Sequence, residues 1–177
     1  MIMSELQLSQ EFGQFKMPNS IIYTVIFFTC IGTGILAGLF FSFSTFIMEA
    51  LGEISAKSGM NAMKAINRTI LNPLFGLIYF GTALMTLFLL VATLFNSEWN
   101  GRIYIISGSL LYLVGTFLVT IIFNVPLNNL LERGDSTDYS SQQMWRSYIK
   151  KWTVWNHIRT VTAVGTLACF VLGFKLL

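Results

Sequence analysis

The sequence predicts an all-α integral membrane protein, an antiparallel four-helix bundle with a short amphipathic interfacial helix between the first two spans. Three observations carry that prediction. The 177 residues are 54% hydrophobic and only 11% charged, with a mean hydropathy of +0.67, whereas water-soluble domains run near 25% charged because a folded surface must be wetted. Three stretches, Met17–Met48, Thr69–Ser97 and Ile103–Leu131, contain no Asp, Glu, Lys, Arg or His, and each exceeds the ~20 helical residues that cross a bilayer core. A fourth such stretch, Thr160–Phe174, supplies only about 22 Å of helix. Its helix must therefore begin earlier, which draws Trp155, Asn156 and Arg159 towards membrane depth. This composition excludes a cytosolic enzyme, a disordered chain and a disulfide-stapled secreted domain.

The elements follow in order. Residues 1–19 form a polar tail; Met1–Phe15 is polar and acidic, and no A-x-A follows the first apolar run, so no cleaved signal peptide is expected. The four-helix domain occupies residues 20–177, with spans at roughly Ser20–Met48, Asn72–Phe95, Arg102–Leu131 and Trp152–Phe174. Between the first two, Ala50–Asn67 carries Ile54, Met60, Met63 and Ile66 at helical spacing, the pattern of a helix lying along the interface. Glu132–Gln143, with Gly134-Asp135-Ser136-Thr137-Asp138, reads as a surface loop. Gly34-x-x-x-Gly38 and the pair Gly108 and Gly115 are small residues at spacings that let helices approach closely. Cys30 and Cys169 stand alone in apolar surroundings and read as inert thiols.

Basic residues orient the chain. The end that carries both termini holds Lys16, Arg102 and Lys175, whereas the other holds Lys57, Lys64, Arg68, Arg133, Arg146, Lys150 and Lys151. The excess marks that second end as cytoplasmic and both termini as non-cytoplasmic, in a bacterial inner or thylakoid-type membrane. The net charge of +3 is thus a topology signal, and no nucleic-acid partner is expected.

Polar side chains gather at the same end. Ser42, Ser44, Thr45 and Glu49 close the first span, Asn67, Arg68 and Asn72 precede the second, Asn124 and Asn128 close the third, and Trp152, Trp155, Asn156, His157 and Arg159 open the fourth. Trp152, Trp155, Asn156 and Arg159 fall at i, i+3, i+4 and i+7, one helical stripe. Asn124 and Asn128 share a face, while His157 lies about 100° from Asn156 around the helix. Each alone suits a cap or an interface anchor; together, at membrane depth, they suit a site. The expectation is a polar cavity bounded by Asn67, Asn124, Asn128, Asn156 and Arg159, with Glu49 as the ion partner of Arg159, fitting a flat, partly polar aromatic ligand.

At these residues the chain resembles the anthrone-oxygenase-like family of small four-helix membrane proteins. The resemblance rests on Gly38-Leu-Phe-Phe-Ser-Phe-Ser-Thr-Phe-Ile-Met48, Ala65-Ile-Asn67-Arg-Thr-Ile-Leu-Asn72-Pro, Asn124-Val-Pro126-Leu-Asn128 and Trp152-Thr-Val-Trp155-Asn156-His-Ile-Arg159-Thr160. It covers the chain from about Gly32 onwards. The family's fungal members oxidise anthrones to anthraquinones with molecular oxygen, without metal or flavin. The resemblance implies a pocket for a polycyclic phenol, with Arg159, Asn156, Asn128 and Asn124 as donors to a developing oxyanion. It also implies His157 or Glu49 as base, and Trp152 and Trp155 as a stacking surface. Asn67 and Asn72 complete the expected substrate-binding set.

One His, few carboxylates and the lack of any H-E-x-x-H, P-loop or dinucleotide glycine fingerprint predict neither a metal site nor a cofactor. Besides the bilayer, the expected partners are an aromatic small molecule and a larger membrane complex or homo-oligomer. Two other functions fit the same residues. One is a non-catalytic membrane subunit holding a partner protein, pigment, quinone or lipid. The other is a small transporter, disfavoured because the spans carry few polar residues along their length and show no repeat pair.

Overall fold

The computed structural model describes residues 19–134 and 140–177. The polar tail and the centre of the loop expected after Glu132 lie outside the described residues. Among the described residues the chain is all α-helix, with π-helical insertions. Helix α1, Asn19–Ser42, runs through a π-helical turn, Phe43–Ile47, into α2, Met48–Glu53. Helix α3 is Ala56–Ile70 and α4 is Pro73–Phe95. Helix α5, Arg102–Leu110, continues through π-helical Leu111–Leu118 and Thr120–Asn124 into α6, Val125–Arg133. Helix α7 is Ser140–Leu176.

The boundaries have local causes. The Ser55 hydroxyl accepts from Ser58 N at 3.2 Å and starts α3. Asn72 Oδ1 accepts from Phe75 N at 3.0 Å, with Pro73 beside it at the first helical position, so α4 begins with a cap and a preset φ. Pro126 removes one backbone donor and crowds the carbonyl one turn back, and the wider π-helical turn Thr120–Asn124 precedes it. Ser42, Thr45, Thr86 and Thr120 donate to the carbonyl four residues earlier, which satisfies these hydroxyls inside apolar helices.

Four helical stretches are long and apolar enough to cross a membrane: Ser20–Glu53, Pro73–Phe95, Arg102–Arg133 and Gln142–Leu176. The second has 23 residues, but the others have 34, 32 and 35, well beyond the ~20 a bilayer core requires. Their extra turns meet α3 in a cluster of Phe43, Met48, Met60, Met63, Leu131, Trp145, Tyr148 and Trp152. Two further clusters follow along the helices, one around Leu36, Phe40, Tyr79 and Tyr112, the other around Ile22, Ile26, Leu89 and Phe170. On the outer face of α4, Leu77, Leu84 and Phe95 are each more than two-thirds exposed, an apolar exterior that water solvates poorly.

Three expectations change. Helix α7 begins at Ser140, not near Trp152, because Trp145, Tyr148 and Trp152 form an apolar stripe that the flanking Arg146, Lys150 and Lys151 mask in any count of charges. The apolar face of α3 is covered by protein, with Met60 and Met63 buried in the cluster with Trp145 and Leu131. Of the glycines expected to allow close approach, Gly108 lies 3.0 Å from Cys169 Cβ, measured from where its own Cβ would stand, and Gly115 is closed in by Thr162. A Cβ at Gly38 would meet nothing within 4 Å. Gly59 is closed in as well: a Cβ there would stand 2.6 Å from the Leu51 carbonyl and 2.7 Å from the Trp145 ring.

Candidate functional site

Arg159 is 5% exposed and Asn156, three residues earlier on α7, is fully buried. The helix puts both on its inner face, in a row with Trp152, Ala163, Thr166 and Phe170. Asn156 Nδ2 donates to the carbonyl of Phe40 and to Ser44 Oγ, both at 2.7 Å. Its Oδ1 accepts from Arg159 Nη2 at 2.6 Å. Ser44 lies in the π-helical turn of the first span, and its hydroxyl also meets Thr160 Oγ1 at 2.8 Å. One amide therefore ties two helices together and fixes the guanidinium.

The guanidinium lies 4.4 Å from the Phe40 ring centroid and 5.0 Å from that of Trp152. Both aromatic faces are attractive to a cation, more so where water is scarce. Nη1 reaches Thr120 Oγ1 at 3.4 Å and Nε has no partner. Among the described residues the single salt bridge is Arg68–Glu132, so no described carboxylate neutralises Arg159. A buried cation held only by neutral dipoles and rings is costly, and an anion placed against it relieves that cost.

Below this pair the third span contributes its amides. Asn124 is buried; Nδ2 donates to the carbonyl of Trp152 at 3.3 Å, while Oδ1 has no partner. Asn128 Oδ1 accepts from Trp152 Nε1 at 2.8 Å and Tyr148 OH at 2.9 Å. Asn67, from α3, lies beside the same Tyr148 hydroxyl. Five of the expected residues thus meet in one network: Asn124, Asn128, Trp152, Asn156 and Arg159, with Asn67 at its edge.

The remaining four stand apart. Trp155 faces the outside of the helix row and stacks on Phe123, with centroids 3.5 Å apart and planes 6° from parallel. Asn72 is spent as the cap of α4, donating to the carbonyl of Thr69 at 3.1 Å. His157 is exposed, as its angular offset from Asn156 requires. Glu49 is exposed too, and its expected ion pair with Arg159 is not formed.

Glu49 nevertheless lines a groove that reaches the network. That groove, of about 320 Å³, lies between the first span and α7 and is bounded by Ser44, Thr45, Met48, Glu49, Ile149, Lys150, Thr153 and Val154. Ser44 is shared: it bounds the groove and accepts from Asn156. Thr153 Oγ1 has no partner, unlike the back-bonded hydroxyls nearby. Ser44 thus joins the amide network to the open groove beside it. Sequence reasoning passed over Phe40, Thr120, Tyr148 and Thr153. A Thr or Phe in such helices carries no local signal, and Tyr148 lay in a stretch read as preceding the helix. Among the described residues no three His, Cys, Asp or Glu side chains come together to hold a metal ion.

A family model described as anthrone oxygenase matches residues 74–169, which takes in α4 and the amide, Trp and Arg positions of the third span and α7 but leaves out Ser44, Glu49 and α3. No curated protein and no solved structure matches the chain.

Proposed function

Because the chain belongs to the anthrone oxygenase family, we propose that it is a cofactor-independent oxygenase for a lipophilic polycyclic phenol, bound in the groove beside Ser44. One observation carries this: a buried guanidinium without a described carboxylate partner, held by Asn156 and flanked by Phe40 and Trp152. Such a group favours an oxyanion over its protonated form. An anthrone-type substrate is acidic at the carbon between its rings, because deprotonation gives an aromatic phenolate-like anion. That anion reduces oxygen without a cofactor. Carbon–oxygen bond formation gives a hydroperoxide, and loss of water from it leaves the quinone carbonyl, so one oxygen atom enters the product and the other leaves as water. Glu49 lines the groove and is the base in this reading. Arg159 and Ser44 hold the oxyanion, with Asn156 fixing the guanidinium, while Thr153 supplies a spare hydroxyl for a ring substituent.

The apolar exterior and the four long apolar helices support insertion as an antiparallel four-helix bundle in a bacterial inner or thylakoid-type membrane. The uneven distribution of basic residues supports both termini on the non-cytoplasmic side and the groove near the cytoplasmic surface. A lipophilic substrate then reaches the groove from the bilayer.

A second reading is favoured by the satisfied amides. Asn128 Oδ1 accepts from Tyr148 and Trp152, and Asn156 Nδ2 donates to Phe40 and Ser44, as fasteners between helices would. In that reading the protein is a non-catalytic membrane subunit whose groove holds a pigment, quinone, lipid or partner protein. Incubation of purified protein with an anthrone-type phenol under ¹⁸O₂ separates the two. The oxygenase reading expects quinone carrying one labelled oxygen, formed faster than with heat-inactivated protein. Equal rates with active and inactivated protein would leave only the second reading.

A further inference from the structure

We propose that the first turns of α7 bind an anionic phospholipid, whose phosphate is held by Arg146, Lys150 and Lys151. The proposal rests on the membrane reading above and not on the oxygenase chemistry. Arg146 and Lys150 are four residues apart, as are Ser147 and Lys151, so two adjacent rows of one helix face carry three cations and a hydroxyl. All four side chains are exposed, and none of the three cations is in a salt bridge among the described residues. A groove of about 610 Å³ follows this face, lined among the described residues by Gln143, Arg146, Ser147, Lys150, Lys151, Val154 and Trp155.

The order of residues along the groove selects the ligand. Its cations lie towards the start of α7, and Val154 and Trp155 follow one turn further on. Indoles favour the headgroup level of a bilayer, and the Phe123 stack holds this one in place. A phospholipid matches that sequence, with its phosphate on the cations and the first carbons of its acyl chains on Val154 and Trp155. Free phosphate would leave the apolar end wet. An acidic protein or a nucleic acid would also engage only the charged half. Each juxtamembrane cation adds to attraction for anionic lipid, and here three converge on one groove.

Native mass spectrometry of the delipidated full chain in detergent tests the proposal. The probes are dioleoyl phosphatidylglycerol, dioleoyl phosphatidylcholine and inorganic phosphate. The wild type is expected to retain phosphatidylglycerol in preference to phosphatidylcholine. The triple variant R146Q/K150Q/K151Q is expected to bind phosphatidylglycerol on the order of a hundredfold more weakly. K57Q/R133Q/K175Q, which removes equal charge elsewhere, is expected to behave as wild type, and so is K150R/K151R. Should the triple variant not fold, the single variants R146Q and K151Q carry the test, each expected to lose about fivefold. Unchanged phosphatidylglycerol binding in R146Q/K150Q/K151Q, or in R146Q and K151Q, would overturn the proposal. So would equal retention of the two lipids, or displacement of phosphatidylglycerol by an equal concentration of inorganic phosphate. Arg159→Gln is expected to keep the lipid while losing phenol oxidation, so the failure of one reading is separable from the failure of the other.

Discussion

Arg159 Nη2 donates to Asn156 Oδ1 at 2.6 Å, and the same Asn156 side chain donates across to the first span at Phe40 and Ser44. One neutral amide therefore joins the architecture to the site. Replacing it separates the two contributions. Asn156→Ala removes three bonds and leaves the Arg159 guanidinium and the Phe40 carbonyl short of partners. We expect a loss of about 2–4 kcal/mol, read as a lower unfolding midpoint in detergent. Asn156→Asp keeps an acceptor for Arg159 and supplies it with an anion. It is expected to fold and to abolish binding of a phenolate, measured by quenching of tryptophan fluorescence. Undiminished phenolate binding in Asn156→Asp would show that the uncompensated charge on Arg159 is not what the ligand uses.

Two glycines are expected to respond in opposite ways. Gly59→Ala would drive a methyl group to 2.7 Å from the Trp145 ring and 2.6 Å from the Leu51 carbonyl, a backbone-limited clash expected to cost about 1–3 kcal/mol. Gly38→Ala meets nothing within 4 Å and should stabilise the helix by about 0.5–1 kcal/mol. Unfolding midpoints of the two variants in the same detergent check both signs.

Asn72→Ala should cost about 1 kcal/mol through the lost cap of α4, while Asn72→Ser restores most of it. Neither substitution should alter phenol binding, since the Asn72 side chain bonds, among the described residues, to the backbone of Thr69 and Phe75. A change in binding affinity without a change in stability would return Asn72 to the ligand site.

The identity of the base divides two exposed residues. His157 lies off the inner face of α7, so His157→Ala should leave oxygen uptake with an anthrone-type phenol unchanged. Glu49 borders the groove, so Glu49→Gln should slow uptake by about 10²-fold. The reverse pattern would move the base to His157.

Much of this was legible because helical spacing is rigid. Trp152, Asn156 and Arg159 share a face in any α-helix, and the short charge-free run before Lys175 forces Arg159 inwards. Trp155 falls at i+3 from Trp152, yet it lies at the side of that row, stacked on Phe123. Ser44 was one of several serines and threonines at the end of the first span. Its link to Asn156 depends on which helices pack together and on the π-helical turn, neither of which periodicity encodes. The start of α7 is hidden because Arg146, Lys150 and Lys151 interrupt its apolar run, although burial follows the stripe of Trp145, Tyr148 and Trp152. Glu49 could be matched to Arg159 by charge alone, but the two lie on opposite sides of burial.

The central claim is that the Arg159 guanidinium stabilises a substrate oxyanion in a protein that oxidises it with molecular oxygen. Oxygen uptake by the purified chain in detergent, with an anthrone-type phenol as substrate, tests it most directly when wild type is compared with Arg159→Gln. The glutamine variant should fold, as judged by its unfolding midpoint, and uptake should fall by about 10²–10³-fold. A folded Arg159→Gln variant that consumes oxygen at the wild-type rate would contradict the account.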